Sequence, residues 1–309
     1  VLIVEQQPKE QEFAENKKEP AVSAQVSQMP SSQAEGQIRL IAGSQVQTLS
    51  MEEYLTEVLL SEMPSSFSRE ARKAQAVAAR TFIKKKMQTP KHETADVCEN
   101  PACCQAWTSR EDLQIKYGAA FDTVWQSAQE AVRQTAGEVL CYDGQLIDAV
   151  YFSCSGGQTE AAVAVWGTDV PYLQSVVSPG EEFAPRFSSR VEVPAAEFAE
   201  ILKSADKKID LQGDAAQWLG ACVRADGGSV ESLEIGGAAF SGPELRRLFG
   251  LNSAKFTLSY QDGAFVFDVS GFGHRVGLSQ YGAENMARLG FSYRTILQYY
   301  YQGAKVEQQ

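Results

Sequence analysis

A carboxylate stands where a helix is about to run out. In "LTEVLLSEMP", residues 55–64, Leu55, Val58 or Leu59, and Glu62 recur at i, i+3/i+4 and i+7, so Glu62 faces the same way as core side chains. A carboxyl partly desolvated among Leu, Val and Met has its charged form disfavoured, which raises its pKa toward the range of a general acid at neutral pH. Protonating a leaving oxygen requires such a group. A glutamate that frays into solvent at a helix end fits the same spacing, and position alone leaves both readings open.

A second cluster of reactive types lies in "HETADVCENPACC", where His92, Cys98 and Cys104 fall six residues apart. Such a loop is compact enough to close round one ion, and Cys with His suits tetrahedral zinc. Neighbouring Cys103 and Cys104 do not readily ligate one ion, so water is expected in the fourth position, with Cys103 as its substitute. A disulfide is the rival, since the chain has six cysteines, at 98, 103, 104, 141, 154 and 222. "HETAD" resembles a truncated HExxH, but it lacks a second His and follows Pro90, which argues against a metalloprotease.

Three further stretches carry ligand-binding types. Along "AVYFSCSGGQTE", 149–160, Tyr151, Ser153 and Ser155 point one way on a strand that runs into a Gly-Gly turn. Ser153, Ser155 and Thr159 could hydrogen-bond a ligand's hydroxyls there, or could be solvated at a hairpin end. Trp166 and Tyr172 offer rings for stacking on a ligand or for core packing. "GFGHRVGLSQYG", 271–282, is not GxGxxG and no βαβ unit surrounds it, so a dinucleotide site is excluded. It reads as a tight loop delivering His274, then Ser279 and Gln280 at a helix start. His274 is either a group that orients Glu62 or a ligand, or a satisfied structural histidine. Arg80, on an Ala-rich helix, either pairs with Glu62 or substrate, or is solvated.

The elements that must position these residues follow from pattern. "IRLIAGSQVQTLS" alternates about a Gly-Ser turn and predicts a hairpin. A helix over Tyr54 to about Ser61 opens with Glu52 and Glu53 and ends because Pro64 forces Met63 out of the helical region. Ser68 caps the next helix, whose Ala71, Ala74 and Ala78 form a face of small side chains. A short helix over 127–137 ends at Gly137, and "EVLCYDGQLIDAVYFSCSGG" reads as strand, Asp-Gly turn, strand. Residues 183–257 suggest a smaller subdomain, a hairpin turns at Asp262-Gly263, and helices over 280–289 and 293–301 close the chain. Strands and helices interleave without βαβ regularity, so the fold class expected is α+β: mixed helices and antiparallel hairpins forming a groove.

At 309 residues and 44% hydrophobic, the chain is long enough to bury a large core, and its net charge of −11 with no basic stripe excludes a nucleic-acid partner. The opening "VLIV" followed by Glu, Gln, Lys, Pro and Ser reads as the stub of a removed anchor, or equally as an arbitrary starting point, ahead of a disordered tether expected over 1–37.

"MEEYLTEVLLSEMPSSFSREARKAQAVAARTF" resembles the start of the stage II sporulation protein D (SpoIID) family, with its helix, Glu-Met-Pro and Ala-rich helix. The resemblance continues through "DVCENPACCQAW", "AVYFSCSGGQTE", "VWGTDVPYLQSV", "FSGPELRRLFGLNSAKF" and "GFGHRVGLSQYGAENMARLGFSYRTILQYYY", and so covers the chain from about residue 38 to its end. It implies a peptidoglycan lytic transglycosylase acting at engulfment in sporulation, with Glu62 as catalytic acid. It implies zinc at His92, Cys98 and Cys104, no organic cofactor, and a location on the outer face of the mother-cell membrane. The partners it implies are peptidoglycan glycan strands, a sporulation amidase (stage II sporulation protein P) and a membrane scaffold (stage II sporulation protein M); a homodimer stays open. A hydrolytic glycosidase, with Asp96 or Glu160 as second carboxylate, and a non-catalytic glycan-binding modifier of an amidase are the rivals. Arg275 stands where relatives often have Gly, which puts the loop backbone in question.

Overall fold

The computed structural model describes residues 36–309, so the tether expected over 1–37 lies almost wholly outside the described residues. Helices α1 (Met51–Glu62), α2 (Arg69–Gln88), α3 (Arg110–Tyr117) and α4 (Phe121–Gln134) come first, followed by α5 (Ala162–Trp166), α6 (Ala195–Lys203), α7 (Gly242–Phe249), α8 (Gln280–Arg288) and α9 (Tyr293–Tyr300). Among them run small sheets of two or three strands, most pairs antiparallel, so the fold is α+β. None of the described helices is long and apolar enough to cross a membrane.

The main apolar core is built round α2. Its Ala71, Ala74 and Ala78 are fully buried, and α1, α4, α8, α9 and strand Glu138–Tyr142 all pack on it. Ser50 caps α1 by accepting from the Glu53 N–H, and Leu55, Val58 and Leu59 anchor the helix in this core. Burial of each such side chain contributes about 1.5–3 kcal/mol, enough to fix where the helix ends. It ends at Glu62, because Met63 before Pro64 turns extended at φ −118°, ψ 146°.

A second apolar cluster gathers Phe198 of α6, Leu245 and Phe249 of α7, and Phe256, Phe265, Phe267 and Val269. It therefore reaches past residue 257, taking in the hairpin whose Asp262 and Gly263 both have positive φ. The hairpin Gln37–Ala42/Gln45–Ser50 forms as the alternation predicts.

Two elements depart from expectation. The helix expected over 127–137 starts at Phe121, since Phe121 and Trp125 belong to its buried face. The strand expected through residue 155 breaks up: its first hairpin stops at Leu146, and only Tyr151–Phe152 are extended, pairing in parallel with Leu278–Ser279. An isolated bridge from Cys154 to Phe272 then diverts the chain, and the simple two-face alternation is lost.

Candidate active site

Three cavities of about 470, 310 and 360 Å³ meet at Glu62, which lines all of them. Among the described residues it is the one acidic residue in their walls. The half-buried carboxyl has its pKa raised, burial being the dominant cause, with donors opposing it. The Ala106 N–H donates to Oε1 at 2.8 Å and the Tyr151 phenol donates to the same oxygen at 3.3 Å. Gln280 lies near enough to favour the charged form, yet its buried Nε2 makes no hydrogen bond of proper geometry. With both good donors on Oε1, Oε2 is the oxygen left to carry a transferable proton.

The direction of the phenol bond is fixed from behind. Gln105 Nε2 donates to the carbonyl of Ala79 at 3.4 Å and to the Tyr151 oxygen at 3.0 Å, while its Oε1 accepts from Tyr54 at 3.1 Å. A carbonyl can only accept, so the amide nitrogen faces Ala79 and Tyr151. Tyr151 thus receives one proton and directs its own at Glu62. Burial and the Glu62 charge hold its pKa well above the ordinary phenol value, so it stays a donor.

The loop carrying Gln105 and Ala106 is tied to α1 at a second point. Glu57, one and a half turns before Glu62, accepts from Trp107 Nε1 at 2.7 Å and from the Arg110 N–H at 3.0 Å. Its pKa is pushed up to about 7 by burial, which these donors oppose. Gln105, Ala106, Trp107 and Glu57 escaped the sequence reading. The signal available was the string "CCQAW" inside a matching motif, and three of the four act through groups that periodicity does not reveal.

Just upstream, His92, Cys98, Cys103 and Cys104 bring their ligand atoms within 4.8 Å of one another. His92 Nε2 is 3.7 Å from Cys103 Sγ and 3.5 Å from Cys104 Sγ, and the two sulfurs are 3.9 Å apart. Tetrahedral zinc, with Zn–S about 2.3 Å and Zn–N about 2.0 Å, requires S···S near 3.8 Å and N···S near 3.5 Å. The donor set fits. Both adjacent cysteines join the cluster, where water was expected in the fourth position, because the turn in which the Asn100 carbonyl accepts from both Cys103 and Cys104 N–H swings both sulfurs to one side. All six cysteines are free thiols.

Of the residues expected to meet sugar, Ser153, Trp166, His274 and Gln280 line the cavities. His274 has both nitrogens engaged: Nδ1 accepts from the Val276 N–H at 3.1 Å, so Nε2 carries the proton and donates to the Tyr151 carbonyl at 3.0 Å. Burial lowers its pKa to about 4, and it is neutral at physiological pH. Its ring packs on Trp166 and Phe152. It braces the strand that carries Tyr151.

Five others are elsewhere. Ser155 and Ser279 are fully buried and donate to the carboxylate of Glu181 at 2.9 and 2.6 Å. Thr159 is buried and exchanges bonds with the backbone of Val176. Tyr172 packs on Tyr142 and its hydroxyl accepts from the Asp148 N–H at 3.1 Å. Arg80 is fully buried, its guanidinium donating to Thr135 and to the carbonyls of Val132 and Glu138. The broken strand turns Ser155 and Thr159 toward protein, and the interior of α2 does the same for Arg80.

The two carboxylates considered as partners for Glu62 are also committed. Asp96 pairs with Arg39 at 2.9 Å, and its pKa is lowered. Glu160 is buried against Arg275. Arg275 keeps a positive φ of 68° despite its side chain, which costs about 1–2 kcal/mol. Its guanidinium offsets that by donating to the carbonyls of Ser155, Gln158 and Gly227, to Ser229 Oγ and to Glu160. It thereby fastens the hairpin Leu219–Arg224/Val230–Ile235 of the second cluster to the loop beside His274.

Residues 42–142 match a family model described as Stage II sporulation protein. The chain is similar to stage II sporulation protein D of Bacillus subtilis (strain 168), at 35% identity over 274 residues, which cover 86% of this chain and 77% of the relative. It is 34% identical over 267 residues to stage II sporulation protein D of Bacillus amyloliquefaciens, covering 85% of this chain and 76% of the relative. An amidase enhancer of Bacillus subtilis (strain 168) is 29% identical over 297 residues, covering 81% of this chain but 39% of that protein.

Proposed function

The chain belongs to the stage II sporulation protein D family, and from that premise we propose that it is a peptidoglycan lytic transglycosylase acting on peptide-stripped glycan strands in sporulation. The reaction cleaves the β-1,4 bond between N-acetylmuramic acid and N-acetylglucosamine. One observation carries the reading: among the described residues Glu62 is the only acidic side chain lining the joined cavities, and its proton affinity is raised. Glycoside hydrolysis needs two carboxylates in most families, whereas intramolecular attack by the sugar's own 6-hydroxyl needs one group that serves twice.

Glu62 Oε2–H protonates the bridging oxygen as the C1–O bond breaks. The carboxylate formed at that moment is stabilised by the N–H of Ala106 and the phenol of Tyr151, both already aimed at Oε1. Glu62 then takes the proton of the 6-hydroxyl as that oxygen bonds to C1. The product is a 1,6-anhydro end, the acid is regenerated, and no water is consumed. Trp166 and Tyr151 wall one arm of the cleft, and Ser153 and Gln280 supply polar contacts along the others.

Zinc belongs to the same proposal. His92, Cys98, Cys103 and Cys104 would hold it, and four protein ligands leave a tetrahedral ion no open position. Its contribution would be to brace the turn from which Gln105 and Ala106 emerge. An extracytoplasmic location is included too, because the glycan is found there.

Product mass tests the reaction. Purified protein acting on stripped strands is expected to release fragments lacking one water relative to hydrolysed ends. Glu62→Gln is expected to lower cleavage by about 10²–10⁴-fold while binding persists. Reducing ends alone, or undiminished cleavage by the variant, overturns the proposal; retained binding with no cleavage by either protein favours the amidase-modifier alternative.

A further inference from the structure

The cavities round Glu62 carry the opposite charge to the molecule that encloses them. The chain has 39 acidic residues against 28 lysines and arginines. Yet the cavity walls include Lys86, Lys116, Arg186 and Arg246 beside the single carboxylate. A sample of this surface would instead be expected to hold more acid than base. The four cations are also distributed: Lys116 and Arg186 line one cavity, Lys86 the second and Arg246 the third, so a strand crossing Glu62 meets positive charge on every side.

None of the four is neutralised by the protein. Among the described residues, none has a carboxylate within ion-pair distance. They are held by other means. Lys86 Nζ lies 5.3 Å from the Phe82 ring centroid and Lys116 Nζ 5.1 Å from that of Tyr117, while the Arg186 guanidinium stands 4.7 Å from that of Phe272. Lys116 also donates to the Leu60 carbonyl at 3.4 Å, and Arg246 Nε to the Leu251 carbonyl at 3.2 Å. Aromatic faces and carbonyls restrain a cation and leave its charge unspent, which is the arrangement of an anion receptor.

We propose, on the basis of the transglycosylase reading above and its peptide-stripped substrate, that Lys86, Lys116, Arg186 and Arg246 recognise the lactyl carboxylates of the muramyl sugars, so that the charge of those groups, and not the absent bulk of the peptide, is what the site reads on a stripped strand. A stem peptide converts each lactyl carboxylate to a neutral amide. Its removal by amide hydrolysis exposes one negative charge per disaccharide, and the cationic walls are complementary to that repeat. The cations thus determine specificity, while Glu62 does the chemistry.

The test measures binding by full-length Glu62→Gln, which does not turn substrate over, to three ligands of equal length: peptide-stripped strands, the same strands with lactyl groups converted to methylamides, and neutral chitin oligosaccharides. At about a factor of two per exposed ion pair, amidation is expected to weaken binding roughly tenfold and to flatten its dependence on salt. The pairs Lys116→Gln/Arg186→Gln and Lys86→Gln/Arg246→Gln, added to Glu62→Gln, are each expected to lose several-fold on the acid strands and nothing on chitin. Equal binding of acid and amidated strands overturns the inference, and that arm leaves the protein unchanged. Loss on all three ligands alike also overturns it, as does competition by polyphosphate as effective as by stripped strands. The two readings fail separately: charge-selective binding with no anhydro product removes the transglycosylase alone, and anhydro product with charge-blind binding removes this inference alone.

Discussion

Replacing Tyr151 by phenylalanine removes one hydroxyl from the site and keeps the ring that fills it. The lost group donates to Glu62 Oε1 at 3.3 Å. A hydrogen bond to a charged acceptor contributes about 1.5–3 kcal/mol, and one this long belongs at the lower end. Because the bond favours the carboxylate over the acid, its loss raises the pKa of Glu62; at about 1.4 kcal/mol per unit, the rise is about one unit. The protonated acid is the active form, so activity falls as pH climbs through that pKa. The alkaline limb of kcat/KM against pH, measured by anhydro-end release from stripped strands, is therefore expected to move up by about one unit in Tyr151→Phe. Gln105→Leu, which leaves the Tyr151 proton undirected, is expected to move it in the same direction by less. A limb that stays in place while the rate drops at every pH, or one that moves down, refutes the donor chain drawn from Gln105 through Tyr151 to Glu62.

Two further perturbations follow from the structure. Of the six thiols only Cys222 is exposed, and Cys98, Cys103 and Cys104 share the proposed zinc, so a rapid thiol reagent is expected to titrate one cysteine in the loaded protein and four after chelation; Cys103→Ala is expected to weaken metal binding by at least tenfold, and unchanged affinity would return the fourth position to water. Arg275→Gly relieves the positive φ but strands Glu160 without its cation, and a buried pair broken on one side costs about 3–5 kcal/mol, to be read from the urea midpoint; a gain in stability would refute the fastening role.

What could be read from the chain and what could not divide along physical lines. Glu62 was legible because an apolar stripe with period 3.6 and a proline two residues beyond the carboxylate state both the direction and the end of a helix. Turn chemistry was equally legible, as at Asp262-Gly263, where short-range sterics decide. The serines at 155 and 279 were not. Their types suit sugar as well as they suit a buried carboxylate, and nothing local signals that Glu181 would fold between them. The donors to Glu62 were hidden for a related reason: one is a backbone N–H, and another depends on a glutamine that meets α1 and α2 only once the loop has closed. Resemblance reached the segment, and geometry was needed to reach the atoms.

The contacts of Arg275 bear on how such a molecule could acquire new preferences. Arg246 enters the cleft from α7, whose Leu245 and Phe249 share an apolar cluster with the hairpin that Arg275 grips at Gly227 and Ser229. The span between Arg246 and Glu62 is consequently set in part through that guanidinium. Altering the length of the Ala225–Ser229 turn would widen or narrow the channel while every residue that touches glycan stayed the same, so substrate range can drift by insertions and deletions in a turn remote from the chemistry.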